Sequence, residues 1–293
     1  MVRETLNDPA ADRAFEKPAA HRKARLEKPP EYPARFPVPD HLVPWTADYP
    51  DYSPPYYVSP VVIANDATRK TGGWADPEDI SRIAAVPAES FTGPLFHDDK
   101  GRPLNPAGRT GMAGRGLLGK WGPNYAADPI ITRVNMTARS LELLAIRRKD
   151  NGQWAIPGGM VDKGEEVTHT LARELEEETG VKLDMAKGRL TYRGYVDDPR
   201  NTDHAWMETT AKHLHLPEEI ACRVKPHAGD DAAAVRWLPL NGSTMEALYA
   251  SHCSLIRKAL AGMLAGNPFE VPEEELRIVT TLFSSLRQMF ETP

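Results

Sequence analysis

Residues 158–181 read GGMVDKGEEVTHTLARELEEETGV and place Glu174, Glu176, Glu177 and Glu178 within five positions. Like charges this close repel, most of all three and four residues apart on a helix. By that spacing Glu174, Glu177 and Glu178 share one helical face, and Glu176 points elsewhere. Leu171 and Leu175 lie on another face and can anchor the helix in a core. Arg173, one turn before Glu177, offsets part of the repulsion. The remainder calls for a counter-charge that the chain does not carry. An all-oxygen cluster suits a hard divalent cation, and Mg²⁺ takes a few carboxylates together with water and substrate phosphate. A glycine turn ahead of the helix lets a metal or phosphate approach the backbone. A bare acidic run is also what a solvated helix face looks like, so the glutamates alone do not decide.

The elements that must position these carboxylates follow from hydrophobic periodicity. LELLAIRR (141–148) predicts a strand, QWAIPGG (153–159) a short strand entering a glycine turn, and residues 165–179 a helix. RLTYRGYV (189–196), HAWMETTAKHL (204–214) and AAAVRWLPL (232–240) predict further strands. SHCSLIRKALAGMLA (251–265) predicts an amphipathic helix, and residues 272–290 another. Strands interleaved with helices imply an α/β class, a mixed sheet covered by helices. Upstream the pattern changes. Twelve of the 27 prolines fall in the first 60 residues, so the segment 29–60 is expected to run extended over a surface, docked by its aromatics. The expected division is a polar arm over 1–30, an N-terminal lobe over 31–135, a regular α/β domain over 136–265 and a C-terminal helical tail over 266–293. In that tail Leu276, Val279, Phe283, Leu286 and Phe290 follow a helical repeat, which would dock it on the body or on another subunit.

Composition narrows the function classes. The 293 residues have room for one large or two small domains. A net charge of −5 gives no generic affinity for nucleic acid. No apolar run approaches the ~18–20 residues of a membrane span. The N-terminus lacks a secretory core, and Glu4, Asp8, Asp12 and Glu16 interrupt any mitochondrial presequence. Cys222 and Cys253 fit free thiols in a reducing compartment. The expected location is intracellular, in the cytoplasm or on the cytoplasmic face of a membrane.

The full spacing of the acidic segment is Gly159, five residues, Glu165, seven residues, then Arg173-Glu174-Leu175-x-Glu177-Glu178-x-Gly180-Val181. This resembles the Nudix box at every fixed position. The resemblance implies a Nudix fold, an α/β/α sandwich, and hydrolysis of a nucleoside diphosphate linked to another moiety. It implies Mg²⁺ or Mn²⁺ held by Glu174, Glu177 and Glu178, with Gly159 beside the metal and with Glu165 and Arg173 orienting loop and helix. Divalent ions neutralise a pyrophosphate and activate a water, and a general base removes its proton. The base is left open among a box glutamate, Glu208, Asp230 and Asp231.

Further segments resemble the ADP-ribose pyrophosphatases of animal mitochondria and, equally, the C-terminal Nudix domain of ADP-ribose-gated melastatin-type channels. These are GRTGMAGRGLLGKWGPNYAADPIITR (108–133), GYVDDPRNTDHAWMET (194–209), AGDDAAAVRW (228–237) and LYASH (248–252). The implied reaction is ADP-ribose plus water to AMP and ribose 5-phosphate; the other reading is an ADP-ribose-sensing channel domain, and the tail would then offer a channel or self-association contact. The residues support a substrate role in their own terms. Arg200 can clamp a phosphate, and Asp198, Asn201 and Asp203 can bond ribose hydroxyls, although DPRN is also good Asx-turn chemistry. Tyr249, Ser251 and His252 can hold the terminal ribose or the adenine side, or Ser251 can cap a helix. Asp231 is a second acidic candidate, and Asn124 can reach the nucleotide. Arg109, Arg115 and Gly108, Gly111, Gly114 and Gly116 suggest either a phosphate-facing loop or lobe packing.

Overall fold

The computed structural model describes residues 21–83, 85–87, 89–162, 164–229 and 232–290, the last four of these by backbone alone. Asp230 and Asp231 lie outside the described residues, as do the first twenty of the expected polar arm and the side chain of Phe290. The chain divides into two compact units, Met1–Gly122 with Pro199–Ala205, and Pro123–Asp198 with Trp206–Pro293.

The first unit has little regular structure, as its proline content dictates. It holds α1 (Arg22–Leu26), β1 (Tyr56–Val58), α2 (Pro60–Ala64), β2 (Glu89–Ser90), β3 (Gly93–Pro94) and β4 (Ala113–Gly116), with β1 parallel to β4 and β2 antiparallel to β3. Side chains bonded to main-chain carbonyls take the place of ladders. Arg109 donates to Leu42 O, Pro44 O and Ala47 O, and its guanidinium lies 5.1 Å from the Trp45 ring centre and 5.3 Å from that of Tyr52. Arg115 donates to Asp76 O and Gly119 O and pairs with Glu78 at 2.9 Å. A Cβ on Gly111 would overlap Phe36 O, so that glycine lets the proline-rich backbone lie directly against it. The structure therefore uses this arginine–glycine stretch for packing within the unit and not as a phosphate-facing loop.

The second unit is built on a seven-stranded sheet. Its strands are β5 (Gly122–Asn135), β6 (Ser140–Arg148), β7 (Trp154–Ala155), β8 (Gly159–Met160), β9 (Arg189–Tyr195), β10 (Ala205–His215) and β11 (Ala232–Pro239). The order is β11-β6-β5-β10-β9, with β7 on β6 and β8 on β5. β11–β6, β6–β5 and β10–β9 are antiparallel. Bonds from Thr209 to Ala126 O and from Leu216 N to Thr132 O advance along both strands together, so β5 and β10 run parallel and the sheet is mixed. The helices are α3 (Val167–Thr179), α4 (Glu218–Ala221), α5 (Gly242–Glu246), α6 (His252–Gly266) and α7 (Glu273–Phe290).

Strand alternation separates two cores. Leu141, Leu143 and Ala145 of β6 pack with Leu255, Ile256 and Leu260 of α6 and with Val279 and Leu286 of α7. Leu144, between them, joins Leu171 and Leu175 of α3 on the opposite face. This is the expected three-layer α/β/α sandwich. The tail helix α7 thus docks on the body of the second unit through its apolar repeat. A polar bridge also fastens it: Thr132 Oγ1 bonds His213 Nε2 at 2.7 Å and His215 Nδ1 at 2.9 Å, and His215 Nε2 lies 3.2 Å from Glu275 Oε2 on α7.

The strand β5 was not expected as a strand. Its Asp128-Pro129 pair breaks the apolar pattern, and proline in a central strand argues against one. Asp128 is nonetheless buried and accepts from Thr209 Oγ1 at 2.5 Å.

Candidate active site

Helix α3 forms because Leu171 and Leu175, one turn apart, are both fully buried, and it stops at Gly180, whose φ of 68° closes a left-handed cap with its N–H on Glu176 O. That anchoring turns the box carboxylates toward the glycine turn. Gly158 N donates to Glu178 Oε2 at 2.8 Å. Gly159 lies against Glu174 so closely that a Cβ there would overlap the carboxylate. The positions of Gly159, Glu174 and Glu178 are therefore mutually determined, and any larger residue at 159 would displace an acid.

Arg173 is the hub of the charges. Its Nε and Nη2 reach Glu165 at 2.9 and 3.0 Å, and Nη1 reaches Glu174 at 2.8 Å and Glu177 at 2.9 Å. The Arg173 hydrogen bond, with further donors and the guanidinium charge, holds the Glu165 carboxyl down to about 2. Burial pushes Glu174 up against the pull of Arg173, with the Glu177 and Glu165 charges adding to the rise. Glu165, reached by two guanidinium nitrogens, ties the loop to the helix. One guanidinium serving three carboxylates leaves the cluster net negative. As the side chains stand, no three acidic, histidine or cysteine groups among the described residues converge as an ion cage, because Glu174 and Glu177 turn to Arg173. The donor set itself is anionic, oxygen-only and next to an open glycine backbone, which fits a hard divalent cation.

Other candidates in the second unit fall into two groups. The turn ahead of α6 packs on the strand that leads into the glycine turn: Tyr249 N donates to Trp154 O, and Ile156 N donates to His252 Nδ1 at 2.9 Å. Arg148 stacks on the Tyr249 ring at 4.2 Å. Ser251 occupies the N-cap position but makes no side-chain cap bond; its hydroxyl donates instead to Asp197 O at 2.9 Å. The remaining candidates, Asn124, Asp198 and Glu208, are buried, and Glu208 accepts from Trp206 Nε1 at 2.9 Å. His227 was not foreseen: its ring covers Gly180 and its N–H bonds Thr179 O, closing the end of α3. A lone histidine 47 positions downstream of the box glycine carries no local signal of this.

Arg200, Asn201 and Asp203 belong to the first unit. Arg200 is half-buried and Asn201 fully buried. Asp203 is engaged within the fold. It is 1% exposed, with Oδ2 accepting from Tyr52 Oη at 2.6 Å and Oδ1 from Thr110 N and Thr110 Oγ1, both at 2.7 Å. Both oxygens accept bonds within the fold, so this carboxylate acts there as a structural acceptor. Burial pushes it up, against the pull of His204, Tyr52 and Thr110.

The NUDIX domain profile matches residues 128–256, and a profile described as NUDT9-like, N-terminal domain, matches 38–122. The chain is 46% identical over 245 residues to putative nudix hydrolase 6 of Caenorhabditis elegans, covering 76% of this chain and 88% of that one. The chain belongs to the Nudix hydrolase family. It is also 40% identical over 279 residues to the mitochondrial ADP-ribose pyrophosphatase of Rattus norvegicus, with 81% of this chain and 77% of that enzyme covered. Against the transient receptor potential cation channel subfamily M member-like 2 of Nematostella vectensis, identity is 43% over 278 residues, 81% of this chain and 17% of the channel. This Nudix chain is thus homologous both to an ADP-ribose pyrophosphatase and to one segment of a channel. No helix among its described residues is long and apolar enough to cross a membrane.

Proposed function

We propose that this Nudix hydrolase cleaves ADP-ribose to AMP and ribose 5-phosphate with a divalent cation, Mg²⁺ or Mn²⁺. The observation that carries the reading is the seating of Glu174 and Glu178 against the Gly158–Gly159 turn on one face of α3. The 40% identity to an ADP-ribose pyrophosphatase supports the choice of substrate. The carboxylates of Glu174, Glu177 and Glu178, with the main chain at Gly159, would hold the cation, which supplies charge neutralisation of the pyrophosphate and a more acidic water. Arg173 and Glu165 keep loop and helix in register. Arg200 would contact the anionic substrate, and Tyr249 and His252 would line its nucleoside or ribose end. Incubation with ADP-ribose and Mg²⁺ should release AMP in equal amount to ribose 5-phosphate. Failure to release AMP, or equal release in excess chelator, rejects the mechanism.

A second reading is favoured by the channel match, which covers as much of this chain as the pyrophosphatase match does. There the same chemistry would serve ligand sensing in a longer polypeptide. Transcript sequence upstream of Met1 separates the two, since in-frame membrane spans place the chain in a channel.

A further inference from the structure

Two side chains of the proline-rich segment hold the turn that carries Arg200, and the chemistry above uses neither. Tyr32 is buried, and its hydroxyl donates to Arg200 O at 2.8 Å while accepting from Leu117 N at 2.8 Å. A Cβ on Gly116 would overlap that hydroxyl, so the glycine is what admits it. Arg35 spreads over four carbonyls: Glu27 O at 2.9 Å, Thr110 O at 3.3 Å, Pro199 O at 2.6 Å and Asn201 O at 3.0 Å. Its guanidinium also lies 5.6 Å from the Tyr32 ring centre. Pro199, Arg200 and Asn201 therefore present three consecutive carbonyls, each held by a donor from residues 32–35.

A self-sufficient Asx turn would not need such donors. Fixing the carbonyls on both sides of Arg200 fixes the two peptide planes that meet at its Cα, and so the direction of its Cα–Cβ bond. Charge-assisted bonds from a guanidinium are stronger than neutral ones, so Arg35 resists reorientation of the turn. Downstream the same turn is pinned again, by Asn105 on Thr202 O and by Asp203.

We propose that Tyr32 and Arg35 are positioning residues for Arg200, aiming its guanidinium at an anionic diphosphate of the substrate without touching that substrate. This rests on the Arg200 contact proposed above. It gives the proline-rich segment a part in substrate affinity as well as in packing.

The test is a double-mutant cycle with ADP-ribose in Mg²⁺, reading KM, kcat and Tm. Arg35→Ala is expected to raise KM about tenfold with kcat changed far less, the scale on which misplacing a substrate contact acts. In an Arg200→Ala background the same substitution should add almost nothing, because the group it aims is gone. Effects on KM that multiply in the double mutant would overturn the proposal, since a general packing role predicts independence. An Arg200→Ala effect beside a silent Arg35→Ala removes the positioning role alone; an unchanged KM in Arg200→Ala removes the substrate contact and the positioning with it. Should Arg35→Ala fail to fold, Arg35→Lys and Tyr32→Phe keep the question open to measurement. Each should give an intermediate KM, and wild-type KM in both would end the idea.

Discussion

At α3, two carboxylates of the helix and Glu165 of the preceding loop share one guanidinium, and the side chain of Glu177 keeps 57% of its surface exposed. In the turn at 199–205, one carboxylate, Asp203, has three donors and 1% exposure. Both regions were candidates for ligand chemistry in the sequence, and both are acidic. The difference lies in lone pairs: an ionised carboxylate offers about four acceptor sites, and Arg173 cannot fill those of three glutamates. Unfilled acceptors on a half-exposed helix face can exchange a guanidinium for a cation. Acceptors that mostly have donors in a dry interior serve the fold first.

The comparison breaks first at Glu177. Replacing it with glutamine should lower AMP release by ~10²-fold or more, on the scale of losing one preorganised electrostatic contact. Tm should hold or rise slightly, since a self-repelling charge is removed. Near-normal turnover in this variant would place the exposed acids outside the chemistry. Next comes Arg200, three positions from the buried carboxylate in the chain. Arg200→Ala should raise KM for ADP-ribose roughly ten- to a hundredfold, the equivalent of ~1.5–3 kcal/mol for a charge-assisted contact. Arg200→Lys should recover only part of it, because the fork is lost. A loss of Tm with unchanged KM would move Arg200 to the structural side. Asp203→Ala is expected to do the reverse: a stability loss of about 1–3 kcal/mol from donors left unpaired, seen in denaturant unfolding. Mn²⁺ affinity at the box should not move, and a parallel loss of that affinity would contradict the division.

The smallest effect concerns buried imidazoles. Burial holds His213 down to about 3, with the His215 charge adding, and holds His215 down to about 4. Between the ordinary value of 6.5 and these values, the unfolded chain takes up protons that the folded one refuses. Their stability contribution is therefore complete above about pH 6.5 and shrinks as pH falls toward 4. Glu275 acts in the opposite sense, since burial and then Glu218 and Glu219 raise it, but one carboxyl offsets only part of two imidazoles. Tm measured from pH 7.5 down to 4.5 should fall less steeply in His213→Gln than in the parent protein.

The box was legible because its chemistry imposes a local spacing: Gly159, Glu174 and Glu178 must meet across one turn and one helix. β6, β9, β10, β11, α3, α6 and α7 were legible for a similar reason, since one buried face writes a period into the chain. β5 was not, because the partner that makes Asp128 tolerable is Thr209, 81 positions away. In the first unit only the scarcity of regular structure was legible, from its prolines. Its order comes from Arg35, Arg109 and Arg115 bonded to distant carbonyls, and a carbonyl leaves no mark in a sequence. Arginines beside glycines fit phosphate binding and backbone packing equally well until those acceptors are seen.

The docking of α7 has a consequence for how the protein is made. Leu141 of β6 and Leu286 of α7 share one apolar cluster, although 145 residues separate them. At a synthesis rate of ~5–20 residues per second, the strand waits roughly 7–30 seconds for α7, the second of the two helices that pack on it. Throughout that interval, even once α6 has emerged, a nascent chain carries an incompletely covered apolar sheet face, the kind of surface that chaperones bind. Among the described helices, α7 is thus the one whose arrival completes the cover of that face.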